Sequence, residues 1–232
     1  PHLIKKNQMN KVYLMDCMQG MSGTPDRFYD LAVVDPPYGI GDFQTTGDAN
    51  NYKIKREKKY KDVMDWNKSI PNDEYFKELL RVSKHQIIWG ANYYNCFGTG
   101  GALIWDKENE SSERYSNCEI ASISLQKKVS IFRFRWNGFI QGNMKTKEER
   151  IHSCQKPIAL YDWIFAKYAT KGMKILDTHA GSMSSVISAM KNEMQITAYE
   201  IDSDYFNAGK KRIETYLMQG DMFNQPKIEF IS

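Results

Sequence analysis

Residues 35 to 38 read Asp-Pro-Pro-Tyr and follow a short apolar run, so an acid, two rigid residues and an aromatic ring lie at the tip of a predicted strand. Each proline fixes φ near −65° and lacks an amide hydrogen, so Pro36 and Pro37 offer backbone carbonyls without competing donors. The Asp35 carboxylate and one carbonyl can accept both hydrogens of an exocyclic amino group. Tyr38 can stack on the ring that carries this group. The tetrapeptide therefore predicts a pocket for a flat, amine-bearing ring.

Adenine and cytosine are the natural rings for such a pocket. Their exocyclic nitrogen is a poor nucleophile because its lone pair is delocalised into the ring. Holding both hydrogens out of the ring plane localises that lone pair. The base must first leave its helix. The alternative is an ordinary strand-terminating turn, because Asp and Pro are both common turn residues.

A second candidate site follows the apolar residues Ile175 and Leu176. It is a small-residue turn leading into a helix that starts near Ser184, with the sequence Asp177, Thr178, His179, Ala180, Gly181, Ser182. Amides at a helix start can bind an anionic or carboxylate-bearing ligand. About twenty residues later, Glu200 ends the next predicted strand, where an acid suits ribose hydroxyls. Together with the amine pocket, the turn predicts S-adenosylmethionine, whose sulfonium is an activated leaving group.

Basic residues cluster in two stretches that do not fit the predicted elements, although the net charge is only +4. We expect residues 41–61 and 127–153 to be loops or insertions that contact nucleic acid. The candidate contacts are Lys53, Lys55, Arg56, Lys58, Lys59, Lys61, Arg133, Arg135, Lys145 and Lys147. Aromatic residues alternate with arginines from Phe132 to Trp136, which fits a half-buried edge strand equally well. Solvated surface is the alternative for the basic runs.

Short apolar strands alternate with helical patterns, which predicts an α/β fold with a largely parallel sheet. Helices are predicted over Asn72 to Val82, Pro157 to Tyr168 and Ser203 to Met218. The seven predicted strands are Lys11 to Met15, Leu31 to Val34, Gln86 to Trp89, Ala102 to Trp105, Glu119 to Leu125, Lys174 to Leu176 and Gln195 to Tyr199. The length of 232 residues favours a single domain over 1–232.

Composition excludes several other classes of protein. No apolar stretch reaches the roughly 20 residues of a membrane span. The four cysteines are widely spaced and form no CxxC pair, which argues against a metal site or a disulfide framework. The first six residues lack the apolar core of a signal peptide. These features favour a cytoplasmic protein that needs no metal.

In their order along the chain, these motifs resemble the N6-adenine/N4-cytosine DNA methyltransferase family, in the β-class arrangement that places the catalytic motif before the cofactor motif. The matching segments are Val12 to Cys17, Val34 to Gly39, Ile87 to Tyr94, Leu103 to Lys107, Cys118 to Ala121, His152 to Pro157, Asp177 to Ser182 and Glu200. The resemblance implies a Rossmann-like S-adenosylmethionine-dependent fold. In that fold, a seven-stranded mixed sheet has helices on both faces and a circularly permuted motif order.

The resemblance also assigns roles to residues. It implies that Asp35, Pro36, Pro37 and Tyr38 are catalytic, with Asp35 also at the cofactor. Asp16 and Cys17 are expected near the adenine of S-adenosylmethionine, and Lys156 and Pro157 near its methionine part. The residues 177–182 named above, with Glu200 and Ile201, complete the expected cofactor site.

The resulting hypothesis is a site-specific DNA methyltransferase, of the kind found in restriction-modification systems of bacteria or phages, that acts on adenine N6. Adenine is favoured because, in the family, Asp at the first motif position goes mostly with adenine. N4-cytosine, RNA or a glutamine amide as acceptor, or a catalytically silent nucleic-acid-binding subunit, stay open as alternatives. Met183 stands where the family usually has glycine, and the region left for sequence recognition is short. A homodimer is plausible at this size.

Overall fold

The computed structural model describes residues 9–40, 69–98, 100–109, 116–137, 140–145, 147–152, 154–219 and 226–232. Nine strands form one sheet in the order β11-β1-β10-β9-β2-β3-β5-β4-β6. Their bounds are β1 Met9–Leu14, β2 Tyr29–Val34, β3 Ser83–Trp89, β4 Ala102–Asp106, β5 Cys118–Ile123, β6 Val129–Arg133, β9 Lys174–Asp177, β10 Gln195–Glu200 and β11 Lys227–Ile231. A separate antiparallel pair consists of β7 Trp136–Asn137 and β8 Ile140–Gln141.

Six helices connect or flank the strands in the described part of the chain. They are α1 Cys17–Ser22, α2 Asp73–Val82, α3 Ala91–Tyr94, α4 Ile158–Tyr168, α5 Ser184–Lys191 and α6 Ser203–Met218. The Asn72 side chain accepts from the Tyr75 amide at the start of α2, and the Asp202 side chain caps α6 in the same way. These caps satisfy amides that have no partner within the helix. None of the described helices is long and apolar enough to cross a membrane.

All pairings in the sheet are parallel except those of β5, which runs antiparallel to both β3 and β4. β2 and β9 are neighbours, with Leu31 opposite Ile175 and Ala32 opposite Leu176. Their carboxyl ends therefore lie side by side, although the two strands are far apart in sequence. Ligands of open α/β sheets bind at this edge.

The sheet has a hydrophobic core on each face. One core includes Trp89, Leu103 and Phe165 together with buried residues of α4 and α5. The other includes Met21, Tyr75 and Leu79 beneath α1 and α2. The predicted mixed, largely parallel sheet with helices on both faces is confirmed.

The sheet has two more strands than the seven predicted, one at each edge. β11 pairs with β1 near the carboxyl end of the chain. β6 lies within 127–153, so the prediction of a loop for that stretch was wrong over 129–133, where the backbone pairs with β4, and over 136–137 and 140–141, which form β7 and β8. Phe132 packs against Trp163 of α4, which explains the half-buried edge strand. Residues 41–61, with their six basic side chains, lie outside the described residues.

Candidate active site

Asp35 is the first residue after β2, and both of its carboxylate oxygens have protein donors. The Tyr38 hydroxyl donates to Oδ1 over 2.6 Å. The Lys156 ammonium forms an ion pair with Oδ2. Lys156 is also 3.0 Å from the Tyr38 oxygen, and its side chain is 3% exposed. The structure thus brings together the predicted catalytic acid and the predicted Lys156.

Glu119, on β5, is a second acid in this cluster. Its Oε2 lies 3.0 Å from the Lys156 nitrogen and 3.3 Å from the Tyr38 hydroxyl, and its Oε1 lies 2.6 Å from the Lys107 nitrogen. Sequence reasoning assigned no role to Glu119 or Lys107. The signal in the sequence was an acid within a predicted strand. Its position beside Asp35 follows from the antiparallel pairing of β5 with β3.

The two acids of this cluster have opposite pKa shifts. Burial raises the pKa of Asp35, although the Lys156 charge opposes this, and the negative charge of Glu119 adds to the increase. Burial also acts to raise the pKa of Glu119, but Lys156 and Lys107 outweigh it and lower this pKa to about 2. Glu119 is therefore a permanent anion, and Asp35 is the more basic of the two carboxylates.

The Tyr38 ring packs against Tyr93 and Gly90, which follow β3. It stacks on Tyr93 with ring centroids 4.9 Å apart and planes 17° apart. On another side it touches Gly90, which has φ +77°, and a β-carbon there would come within 2.4 Å of the ring. Glycine at this position thus provides both the left-handed turn and the space for Tyr38.

The predicted cofactor turn follows β9, and it is held by hydrogen bonds to Asp177, the last residue of that strand. The Asp177 carboxylate is buried and accepts from the His179 amide over 3.0 Å and from the Ser185 hydroxyl. Burial raises the pKa of Asp177 to about 7, against these hydrogen bonds. Thr178, Ala180 and Ser182 are also buried, whereas His179 and Gly181 are half-buried. Asp177 therefore shapes the turn from inside.

Glu200 joins the turn to the end of β10. Its Oε2 accepts from the Gly181 amide over 2.7 Å, and its Oε1 accepts from the Asp202 amide. After the neighbouring strand β1, Asp16 accepts from the Met18 amide and caps α1. The next residue after Glu200 is Ile201, which is 67% exposed. An exposed apolar side chain beside two acids suits a ligand that has a flat ring and hydroxyl groups.

Met183 adopts φ +62°, the left-handed conformation that glycine tolerates best. Its side chain is fully buried and points toward α6, where a β-carbon on Gly209 would lie 2.4 Å from the Met183 Cγ. The methionine therefore packs between α5 and α6.

Arg212 of α6 fastens the cofactor turn to the segment before α4, and sequence reasoning missed it. It donates to the Ser182 carbonyl over 2.5 Å and to the Ser184 hydroxyl over 2.9 Å. It also pairs with Glu148 at 2.5 Å, with side chains only 10% and 16% exposed. Glu148 in turn accepts from the Ile158 amide at the start of α4.

Four of the predicted nucleic-acid contacts lie within the described residues, namely Arg133, Arg135, Lys145 and Lys147, and all four are exposed. Arg133 ends β6 and lies 3.4 Å from Asp106 at the end of β4. β4 and β6 run in the same direction as β2. Arg133 therefore lies at the same end of the sheet as Asp35, and Arg135 follows it by two residues.

A largely parallel sheet with one antiparallel strand, and two turns at the ends of β2 and β9, define the Rossmann-like methyltransferase class of fold. No family model matches the sequence. Solved structures that are similar to the chain include the following three. TTHA0409 of Thermus thermophilus, a candidate DNA modification methylase crystallised with S-adenosyl-L-methionine, is 16% identical, with TM-score 0.56 over 96% of this chain and 100% of that one.

The complex of M1.HpyAVI with S-adenosylmethionine is also 16% identical, with TM-score 0.52 over 88% of this chain and 98% of that one. The cytosine-N4-specific PvuII DNA methyltransferase is 10% identical, with TM-score 0.56 over 97% and 98% of the two chains. At these identities the similarity establishes the fold.

Proposed function

We propose that this protein is an S-adenosylmethionine-dependent DNA methyltransferase that methylates the N6 amine of an adenine flipped out of the duplex. The observation that carries the proposal is that Asp35 and the cofactor turn lie at the adjacent carboxyl ends of β2 and β9. The similar solved structures include a candidate DNA modification methylase crystallised with S-adenosyl-L-methionine and a cytosine-N4-specific DNA methyltransferase. They support the same assignment for this fold.

The amine acceptors are the Asp35 carboxylate and the Pro36 carbonyl. When they accept the two hydrogens of the target amine, the nitrogen lone pair is localised and can attack. With the cofactor bound, a bond from this nitrogen to the methyl carbon would form while the bond from that carbon to the sulfonium sulfur breaks, which would leave a neutral thioether. The Asp35 carboxylate would stabilise the positive charge that the nitrogen gains. The raised pKa of Asp35 favours this residue as first acceptor of the proton that the product loses.

Lys156 and Glu119 set the charge of Asp35. Lys156 keeps Asp35 ionised in a mostly buried position, since an ammonium next to a carboxylate favours its charged form. Glu119 and Lys107 balance the charge of Lys156. The cluster thus retains an anionic acceptor without a net positive charge facing the reacting nitrogen.

The residues at the ends of β1 and β10 fit S-adenosylmethionine. Glu200 has carboxylate lone pairs for the ribose hydroxyls, Asp16 is assigned to the adenine, and Ile201 presents an exposed apolar surface for the adenine ring. The turn around Gly181 and the segment at Lys156 and Pro157 are assigned to the methionine part. When bound, the cofactor supplies a methyl group activated by its sulfonium.

Four exposed basic residues, Arg133, Arg135, Lys145 and Lys147, are assigned to the DNA backbone, together with the lysines and arginine of 53–61. Phosphate contacts of this kind make binding salt-dependent. Adenine is proposed over cytosine because Asp occupies the first motif position.

The test is transfer of labelled methyl from S-adenosylmethionine to duplex DNA, followed by nucleoside analysis. Asp35→Asn should lower the rate at least about 1,000-fold, because it removes the charged acceptor. Asp26→Asn, at a side chain 75% exposed, is the matched control and should retain activity. The expected product is N6-methyladenine, and sequencing of modified bases in DNA from expressing cells gives the motif.

Other results lead to different conclusions. N4-methylcytosine would keep the mechanism and change the base. Saturable cofactor binding without turnover would support the silent-subunit alternative. Equal rates for Asp35→Asn and wild type would remove Asp35 from the mechanism.

A further inference from the structure

Tyr94, the last residue of α3, donates its hydroxyl to two backbone carbonyls of the catalytic turn. The hydroxyl oxygen lies 2.5 Å from the Pro36 oxygen and 2.8 Å from the Pro37 oxygen. The first of these carbonyls is the amine acceptor in the proposed function. Sequence reasoning gave Tyr94 no role.

The Tyr94 ring is held in place on several sides. It lies 5.3 Å from the Phe76 ring and meets the Tyr38 ring edge-on at 6.2 Å. The helix that carries it is bounded by Gly90 and Asn95, both in the left-handed conformation. The position of the hydroxyl is therefore set by the end of β3, by α2 and by the packing of the ring against Tyr38.

The prolines leave the Pro36 carbonyl with one soft degree of freedom. The proline ring fixes φ, and the peptide bond is planar, so the direction of this carbonyl depends on ψ of Pro36. Because Pro37 has no amide hydrogen, its nitrogen cannot hold this peptide plane in place with a hydrogen bond. The Tyr94 hydroxyl holds the plane instead, by donating to the Pro36 carbonyl. Burial, and then the charge of Asp35, raise the pKa of Tyr94 and keep it a neutral donor.

A carbonyl oxygen has two lone pairs. A donor on one of them leaves the other available, and it also fixes the plane in which that lone pair lies. We propose that Tyr94 is a positioning residue that aims the free lone pair of the Pro36 carbonyl at the second hydrogen of the target amine. This inference rests on the proposed function.

Tyr94→Phe tests the role, because it keeps the ring and its contacts and removes only the hydroxyl. We expect the single-turnover methylation rate to fall about five- to tenfold, the effect of one lost hydrogen bond. The dissociation constant for S-adenosylmethionine should stay within twofold. Tyr168→Phe is the matched control, since the Tyr168 hydroxyl contacts Ser130 far from the site, and its rate should match wild type.

A second measurement separates aiming from a merely structural role. Unmethylated duplexes that contain the enzyme's target motif are prepared with adenine or with purine, which lacks the amine, at the target position. Wild type should bind the adenine duplex several-fold more tightly, and this ratio should shrink toward one in Tyr94→Phe. Because the ratio compares two ligands within one variant, it does not depend on the fraction folded.

The outcomes distinguish this inference from the proposed function. An inactive wild type would count against the proposed function alone. An active wild type combined with unchanged rate and unchanged adenine-to-purine ratio in Tyr94→Phe would overturn the role of Tyr94. A lower rate with an unchanged ratio would also overturn it, because the hydroxyl would then act only on stability.

Discussion

At the scale of single residues, the protein's own donors hydrogen-bond to both oxygens of Asp35, the acceptor in the proposed amine pocket. The Tyr38 hydroxyl and the Lys156 ammonium occupy the two oxygens of Asp35. A target amine needs one of these oxygens, and Tyr38 must also turn a ring face toward the base. We infer that base entry displaces the Tyr38 hydroxyl and leaves Lys156 in place.

This arrangement predicts different effects for two substitutions of Tyr38. Tyr38→Phe keeps the stacking face and removes the competing hydroxyl, so binding of target DNA should equal or exceed that of wild type. Tyr38→Ala removes the stacking surface, worth about 1–3 kcal/mol, and should weaken binding about fivefold or more. Fluorescence of 2-aminopurine at the target position measures the flipped base. Equally weak binding by both variants would contradict the displacement model.

Met183 shows how a residue-level expectation changes in three dimensions. Met183 stands beside the predicted cofactor turn, at a position where the family that the sequence resembles usually has glycine. The backbone does adopt the glycine-like positive φ, but the side chain packs against Gly209 on the far side of the turn. The substitution is therefore accommodated by a small residue on α6.

At the scale of elements, the Arg212–Glu148 pair links three parts of the fold. It joins α6 and the cofactor turn to the segment that leads through Lys156 into α4. Burial raises the pKa of Glu148 and lowers that of Arg212, and the attraction between them opposes both shifts. Each residue needs the other to remain charged.

Breaking this pair on one side leaves a mostly buried charge without its partner. Arg212→Met should therefore lower the free energy of unfolding by about 2–4 kcal/mol and weaken cofactor binding. Glu148→Gln in the same chain should recover part of that loss. Lys171→Met removes a pair whose side chains are 64% and 52% exposed, and its effect should stay below about 1 kcal/mol. Urea unfolding and calorimetry measure both effects, and equal losses in the two single variants would refute the link.

At the scale of the whole molecule, stability depends on pH partly through His179. This half-buried ring contacts Thr178 of the cofactor turn and Tyr75 of α2. Burial lowers the pKa of His179 from 6.5 to about 4, although Asp16 opposes the shift. Between these values the unfolded chain binds a proton that the folded protein does not. Stability is therefore lost as the pH falls through this window.

The measurement is urea unfolding of wild type and His179→Gln at several pH values. The free energy of unfolding of wild type, relative to the variant, should fall by about 1–3 kcal/mol from neutral pH to about pH 4.5, less than full conversion of the shift because the ring is half-buried. His85→Gln, at an exposed histidine, serves as the matched control. A constant difference across this range would show that His179 keeps its ordinary pKa in the folded protein.

The sequence by itself determined the features governed by local rules. Helices α2, α4 and α6 were predicted to within one residue at each end, because side-chain caps, a proline at the start and helical spacing are short-range signals. The strand cores before Asp35 and Asp177 were predicted from apolar runs. The edge strands β6 and β11 were not among the seven predicted, although polar and apolar residues alternate in β11, because each pairs with a single neighbour and no local signal identifies that neighbour.

Only the tertiary structure decided which residues meet Asp35. Lys156 is 118 positions from Tyr38, and Glu119 is 81 positions away, so no local pattern relates them. Their approach depends on the strand order and on the reversed direction of β5. The same is true of Tyr94 on the Pro36 carbonyl and of Arg212 beneath the cofactor turn. Backbone preferences that act over a few residues determine the two turns. The packing of distant strands brings the charged groups and hydrogen-bond donors to them.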